Sequence, residues 1–258
     1  MFFGYLCYVR YLEGINEDKI ELLMLMIKNK QKLAIFDIDG TIFRSSLLIE
    51  ITEAFIEAGI FPKKVKNIYN LAYKNWANRQ GLYDDYILDV IKAFEANIKG
   101  VKQSDFVKIA LQVIESQKYR TYRYTRNLIK ELQKKNYYLL AISHSPKEIV
   151  QAFCEHLGFD KVYGRVYEVG KSGRFTGRTL YLDLIADKTN ILKQALEKEG
   201  LTLKGSIGVG DSEGDITMLK KVDKPICFNP NNKLYQYAKR QDWEVVVERK
   251  DVVYKFVN

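Results

Sequence analysis

The chain has 258 residues, 47% of them hydrophobic, and only four prolines; that is enough apolar material for one large domain or a core with an insertion, and it excludes a disordered chain. Its three cysteines, Cys7, Cys154 and Cys227, are scattered without a CxxC spacing, so no disulfide framework or zinc site is expected and a reducing cytoplasm fits. The net charge is +9, and residues 61–130 alone carry fourteen Lys/Arg against six Asp/Glu; such a segment can steer an anionic ligand, although a charge run is first of all a solvated surface.

The opening stretch MFFGYLCYVRYLEG is apolar but has no basic leader region and no small-residue cleavage site, and Arg10 interrupts it well short of spanning length. Residues 1–31 are therefore read as an N-terminal extension rather than a signal or an anchor. The first strand-like run covers residues 33–36, and it ends on two acids, Asp37 and Asp39, followed by Gly40 and Thr41. From residue 47 to 124 no strand is expected. Pieces such as LLIEITEAFIEAG and YDDYILDVIKAFEANIKG are amphipathic and close on a glycine, as helices often do. This segment reads as a helical cap inserted behind the first strand.

Further strand-like runs lie at 137–142, 162–166, 206–209, 225–228 and 243–247, and helical patterns lie at 126–134, 147–157, 188–198 and 215–221. Strands alternating with helices predict a parallel sheet covered on both faces. Within YEVGKSGRFTGRTLYLDL, Gly170, Gly173 and Gly177 predict a β-hairpin. The neighbouring GRVYEVGKSG only mimics a phosphate-binding loop, because five residues separate Gly164 from Gly170 where four are needed. The expected organisation is a Rossmann-like α/β core from residues 32–46 and 125–258, with the α-helical cap at 47–124. Where the cap returns to the core, KYRTYRYTR interleaves Tyr119, Tyr122 and Tyr124 with Arg120, Arg123 and Arg126. Such a pattern can stack on single-stranded nucleic acid. It serves equally as cations snorkelling over packed rings, and with no nucleic-acid-binding fold alongside, that is the expectation here.

A second pair of acids, Asp211 and Asp215 in GSIGVGDSEGDITML, follows another short apolar strand. Parallel strands bring their carboxyl ends to one edge, so acids far apart in sequence can converge there. Converging carboxylates repel one another unless a cation sits among them, and a hard, oxygen-seeking ion such as Mg2+ fits that need. A strand-end carboxylate shielded by the ion can attack a phosphoryl group, and an acid two residues along can protonate the departing oxygen.

FDIDGT, the serine of AISHSP, Lys188 in ADKTN and GVGDSEGD follow one another in the order of the four signatures of the haloacid dehalogenase-like hydrolases, which this sequence resembles. Its layout is similar to the phosphoserine-phosphatase-like branch, whose helical cap lies between the first and second signatures. The resemblance implies that Asp37 is the nucleophile and Asp39 the general acid/base, whose backbone carbonyl also helps to bind magnesium. It implies that Ser143 bonds the phosphoryl oxygens, that Lys188 neutralises charge on the nucleophile and the transferring group, that Asp211 is a metal ligand, and that Asp215 supports the lysine or a metal-bound water. Thr41 and the backbone amide of His144 are further phosphate contacts on the same reading. Lys193 and Lys198 are rivals for the lysine, but they fall on later turns of the helix that Lys188 starts. The His144 imidazole has no part in the scheme, and His156 reads as a helix-surface residue.

Two departures matter. The phosphoserine phosphatases usually have an acid nine positions after the nucleophile, where this chain has Ser46, and an asparagine before the last aspartate, where it has Gly214; both disfavour phosphoserine as substrate. Asp39 favours phosphate esters over carbon–halogen cleavage. The expected protein is thus a Mg2+-dependent phosphatase of a small phosphorylated metabolite. A phosphotransferase or phosphomutase would use the same aspartyl chemistry. A nucleic-acid-binding protein with a vestigial site is the reading from another class, and the intact set Asp37, Asp39, Lys188 and Asp211 speaks against it. In the cap, Arg44, Trp76, Arg79 and Tyr83 are candidates for substrate contact.

Overall fold

The computed structural model describes residues 31–256; the reading of residues 1–30 as an extension lies outside the described residues. Eight strands form one sheet: β1 Lys32–Phe36, β2 Tyr138–Pro146, β3 Lys161–Val169, β4 Phe175–Leu180, β5 Thr202–Gly210, β6 Lys224–Phe228, β7 Glu244–Arg249 and β8 Val252–Phe256. They lie in the order β4-β3-β2-β1-β5-β6-β7-β8. The six central strands are parallel, and β4 and β8 add antiparallel edges.

The helices are α1 Leu47–Glu57, α2 Lys66–Ala77, α3 Tyr83–Asn97, α4 Gln103–Gln117, α5 Arg123–Lys134, α6 Lys147–Leu157, α7 Leu182–Ile185, α8 Lys188–Glu199, α9 Ile216–Leu219 and α10 Asn232–Arg240. The side chains of β1 alternate between the two faces of the sheet, as a strand's must. Ala34 and Phe36 join the apolar cluster under α1, α3, α4, α5 and α6, whereas Leu33 and Ile35 join the one under α8, α9 and α10. Covered on both sides, β1 reads as an unbroken apolar run.

Because the strand order reverses at β1, the carboxyl ends of β1, β2 and β5 are neighbours at a topological switch point, where open α/β sheets bind ligands. Residues 37, 143–145 and 211 sit at those ends. Residues 47–117 are helical apart from their connecting turns, with no strand among them. Phe55, Phe61, Phe94 and Phe106 pack ring against ring inside this segment. The hairpin forms between β3 and β4 with its turn at residues 170–173, and Gly177 lies on β4 rather than in the turn.

Local differences from the sequence reading have simple causes. The helix expected at 215–221 is a 3-10 turn, Glu213–Asp215, followed by the short α9; the Asp215 side chain caps its own turn and so fixes where the chain starts to coil. Strand β8 was not expected. Its residues Val252, Tyr254 and Phe256 are about half exposed, and an edge strand with no buried face lacks the alternation that marks a strand in sequence.

Candidate active site

Lys188 opens α8 and is buried, at 3% exposure. Its Nζ donates to Asp37 Oδ1 and to Asp215 Oδ1, both at 2.5 Å. An ammonium taken out of water needs such partners, and two carboxylates hold it firmly charged, raising its pKa against the opposing effect of burial. Lys193 and Lys198 lie exposed on the same helix.

Asp215 is fully buried and does a second job. Its Oδ2 accepts from the backbone N–H groups of Asp211 and Ser212, each at 3.0 Å, in a capping box with Ser212. One carboxylate therefore fixes both the lysine and the turn that presents Asp211. Gly210 makes room for it, since a Cβ there would lie 2.5 Å from that of Asp215.

Asp37, Asp211 and Asp215 each offer an oxygen, and these atoms lie within 4.8 Å of one another. Acids 174 and 178 residues downstream of Asp37 thus meet it as the strand order requires. Burial pushes the Asp37 carboxyl up to about 7, with Lys188 opposing the shift and Asp215 and Asp39 adding to it. Burial likewise raises Asp211, aided by Asp37 and Asp215. Asp37 Oδ2 is buried with no hydrogen-bond partner. Three carboxylates facing one ammonium are short of positive charge, and their all-oxygen donor set suits a small hard dication.

Asp39 points the other way, toward β2. Its Oδ2 accepts from the hydroxyls of Ser143 at 2.6 Å and Ser145 at 2.9 Å, and its Oδ1 accepts from the Leu47 N–H at 2.5 Å. The Ser143 hydroxyl also accepts from the Ser145 N–H at 2.9 Å, and the Ser145 hydroxyl accepts from the Leu48 N–H at 3.1 Å. Strand β2 and the first turn of α1 are thereby both tied to Asp39. Ser145 was missed in the sequence, yet it lies two residues from Ser143 and so on the same face of β2.

Thr41 donates to Asp211 Oδ1 at 3.4 Å. Gly40 has φ +80°, and a Cβ on it would lie 2.1 Å from Asp211 Oδ2, so the left-handed turn and the approach of Asp211 both require glycine. The His144 ring bonds the Ile185 carbonyl through Nε2 at 3.0 Å, and the ring of His156 packs edge-on against Tyr119. Within KYRTYRYTR, Tyr122 and Tyr124 lie against Phe228, and Arg120 lies over Phe43 while pairing with Glu50, whereas Tyr119 is exposed. Ser46 is buried at the start of α1 and Gly214 is exposed. Of the cap candidates, Trp76 stacks on Tyr86 with Tyr83 at its edge, and burial pushes the Tyr83 phenol up, with the charges of Asp39 and Asp211 adding to the shift. Arg79 sits exposed in the turn after α2.

The model of the family described as haloacid dehalogenase-like hydrolase matches residues 34–220. The phosphoserine phosphatase of Methanocaldococcus jannaschii is 26% identical over 234 residues, which cover 88% of this chain and 96% of that one. The inhibition of morphological differentiation protein of Streptomyces azureus is 24% identical over 215 residues, covering 83% and 77%. Among solved structures, a protein of unknown function from Bordetella pertussis shares the fold with a TM-score of 0.66 at 16% identity, covering 84% of this chain and 98% of that one. No helix among the described residues is long and apolar enough to cross a membrane.

Proposed function

The chain belongs to the haloacid dehalogenase-like hydrolase family, in its phosphoserine-phosphatase-like branch, and on that premise we propose that it is a magnesium-dependent phosphatase acting on a small phosphomonoester through a phosphoaspartate at Asp37. The observation that carries the reading is Asp37 itself. One of its oxygens is held by Lys188 while the other, buried and without a partner, is free to bond to phosphorus. The carboxylates of Asp37 and Asp211 and the backbone carbonyl of Asp39 would hold the ion, with Asp215 in the same cluster supporting it. When bound, magnesium offsets the negative charge shared by the phosphoryl group and the carboxylates around it.

Asp37 Oδ2 attacks phosphorus, the ester P–O bond breaks, and Asp39 gives its proton to the leaving oxygen. In the second half Asp39, now a carboxylate, takes a proton from water as the water oxygen attacks the same phosphorus; phosphate departs and Asp37 recovers its carboxylate. Lys188 lowers the charge on Asp37 throughout, so that an anion can approach it. The Ser143 hydroxyl, which donates to Asp39, turns to a phosphoryl oxygen once substrate arrives. Residues 47–124 serve as the cap that excludes water from the attack. The relative from M. jannaschii acts on phosphoserine by its name; Ser46 and Gly214 point this chain to a different small ester.

Phosphate release is measured over a panel of phosphorylated metabolites with magnesium, with and without alcohol acceptors, using Asp37→Asn and EDTA as blanks. Release that stops in both blanks is expected. Release undiminished in Asp37→Asn overturns the reading, and transfer to an alcohol without free phosphate would move the protein to the phosphotransferases.

A further inference from the structure

Arg44 borders this site without a carboxylate to answer it. It is exposed and makes no ion pair among the described residues, whereas its neighbour Arg120 pairs with Glu50 at 2.8 Å and Arg123 donates to the Asp251 carbonyl. Arg44 is nevertheless held in place. Its guanidinium carbon lies 5.6 Å from the centroid of the Tyr122 ring, and its backbone N–H donates to the Arg120 carbonyl at 3.0 Å. Tyr122 is fixed in turn, edge-on against Phe228 at 4.9 Å and with its backbone N–H donating to the Ile42 carbonyl at 2.9 Å.

This arrangement lies close to the reacting groups. Phe43, the residue before Arg44, is bridged to Asp39, and Gly40 of the same turn lies directly against the Asp211 carboxylate. The loop that carries Arg44 also carries the nucleophile, and it is closed on itself by the Gly40 N–H, which donates to the carbonyls of Phe43 at 3.0 Å and Ser45 at 3.1 Å. The distance from Asp37 to Arg44 is therefore set by a short, internally bonded turn. Two residues further on stands Ser46, buried and uncharged.

A cation resting on an aromatic plate beside a phosphate site, with no acid to neutralise it, is built to receive an anion. The guanidinium fork suits carboxylate and phosphate alike, and a side chain already resting on a ring loses less freedom when it binds. We propose that Arg44 is a specificity residue that docks a second anionic group, carboxylate or phosphate, carried by the leaving group of the phosphomonoester. The proposal rests on the phosphatase reading above and narrows its substrate class.

The test uses three esters on one two-carbon skeleton: 2-hydroxyethyl phosphate, phosphoglycolate and ethylene glycol bisphosphate. The protein should favour at least one charged ester over the neutral one by about tenfold or more in kcat/KM, mainly through KM. Arg44→Gln should bring that ratio to within about twofold of unity, and Arg44→Lys should restore part of it. The two charged esters distinguish a carboxylate subsite from a phosphate subsite. An independent arm needs no turnover: by calorimetry with magnesium, 3-phosphonopropionate should bind the wild type about tenfold tighter than 3-hydroxypropylphosphonate, and Arg44→Gln should lose the difference. Equal binding of these two phosphonates and no preference among the esters, or a preference that survives Arg44→Gln, overturns the proposal. If no ester is hydrolysed above the Asp37→Asn blank while the calorimetric difference holds, the phosphatase reading fails and the anion subsite stands.

Discussion

Replacing Lys188 by methionine removes one charge from the centre of the site while nearly keeping its volume. The ammonium is 3% exposed and lies 2.5 Å from both Asp37 and Asp215, so the variant leaves carboxylates facing one another with no cation among them. Breaking a buried ion pair by deleting one partner costs about 3–5 kcal/mol. At about 2–4 °C per kcal/mol for a domain of this size, the melting temperature in EDTA should fall by about 6–20 °C. The fall should be smaller at pH 6 than at pH 8, because a carboxyl can take up a proton in place of the missing ammonium. Added magnesium should raise the melting temperature of the variant more than that of the wild type, since the variant lacks one more positive charge. Phosphate release should drop by about 10²–10³-fold. Calorimetry in EDTA and in magnesium, beside an assay of release, reads all of this. A variant that melts within about 2 °C of the wild type in EDTA would show that Lys188 does not balance these acids, and the charge argument would fail with it.

Gly40→Ala should weaken magnesium binding, because a Cβ there would fall 2.1 Å from Asp211 Oδ2 at a φ of +80°. The strain is about 1–3 kcal/mol, and Asp211 must swing aside to relieve it. A magnesium titration of phosphate release should shift by about tenfold or more, and an unshifted titration would remove Asp211 from the metal site. The acids also predict a pH dependence. The Asp37 carboxyl is raised from 3.8 to about 7, so the folded, metal-free protein holds a proton that the unfolded chain has lost across that range. The stability this proton confers is fully present below about 4 and disappears as pH rises through about 7. Magnesium must displace that proton, and Asp211 is raised as well, so the affinity, followed by calorimetry, should rise by at least about tenfold per pH unit up to about 7. A flat profile between pH 5 and 7 would refute it.

The parts of the site that were legible in sequence are those whose position follows from topology. Asp37 and Asp211 each end a short apolar run, and a parallel sheet delivers the ends of such runs to one edge whatever joins them. Lys188 was legible because it begins a helix at that edge, while Lys193 and Lys198 look away from it. The helices of residues 47–117 were legible through their apolar period and the glycines at 59 and 100, both left-handed in the structure. Strand β8 was not, because a half-exposed edge strand carries no period that sets it apart from a loop.

What the sequence hid is which donors answer which acceptors. Asp37 and Asp39 are two residues apart and chemically alike, yet one faces Lys188 and the other faces two serines of β2. That division follows from the turn at Gly40, which sends the chain back past β2, where the Leu47 N–H meets Asp39. It separates the carboxylate kept next to the ammonium and the other acids from the one kept among hydroxyls. A nucleophile needs its charge offset without being blocked, whereas an acid/base needs partners that tolerate either protonation state. At Asp39 Oδ2 the two hydroxyl groups, which can donate or accept, meet the second requirement, and an ammonium, which can only donate, does not. On the proposed mechanism, two aspartates of equal intrinsic strength would take different roles because of the kinds of donor that surround them.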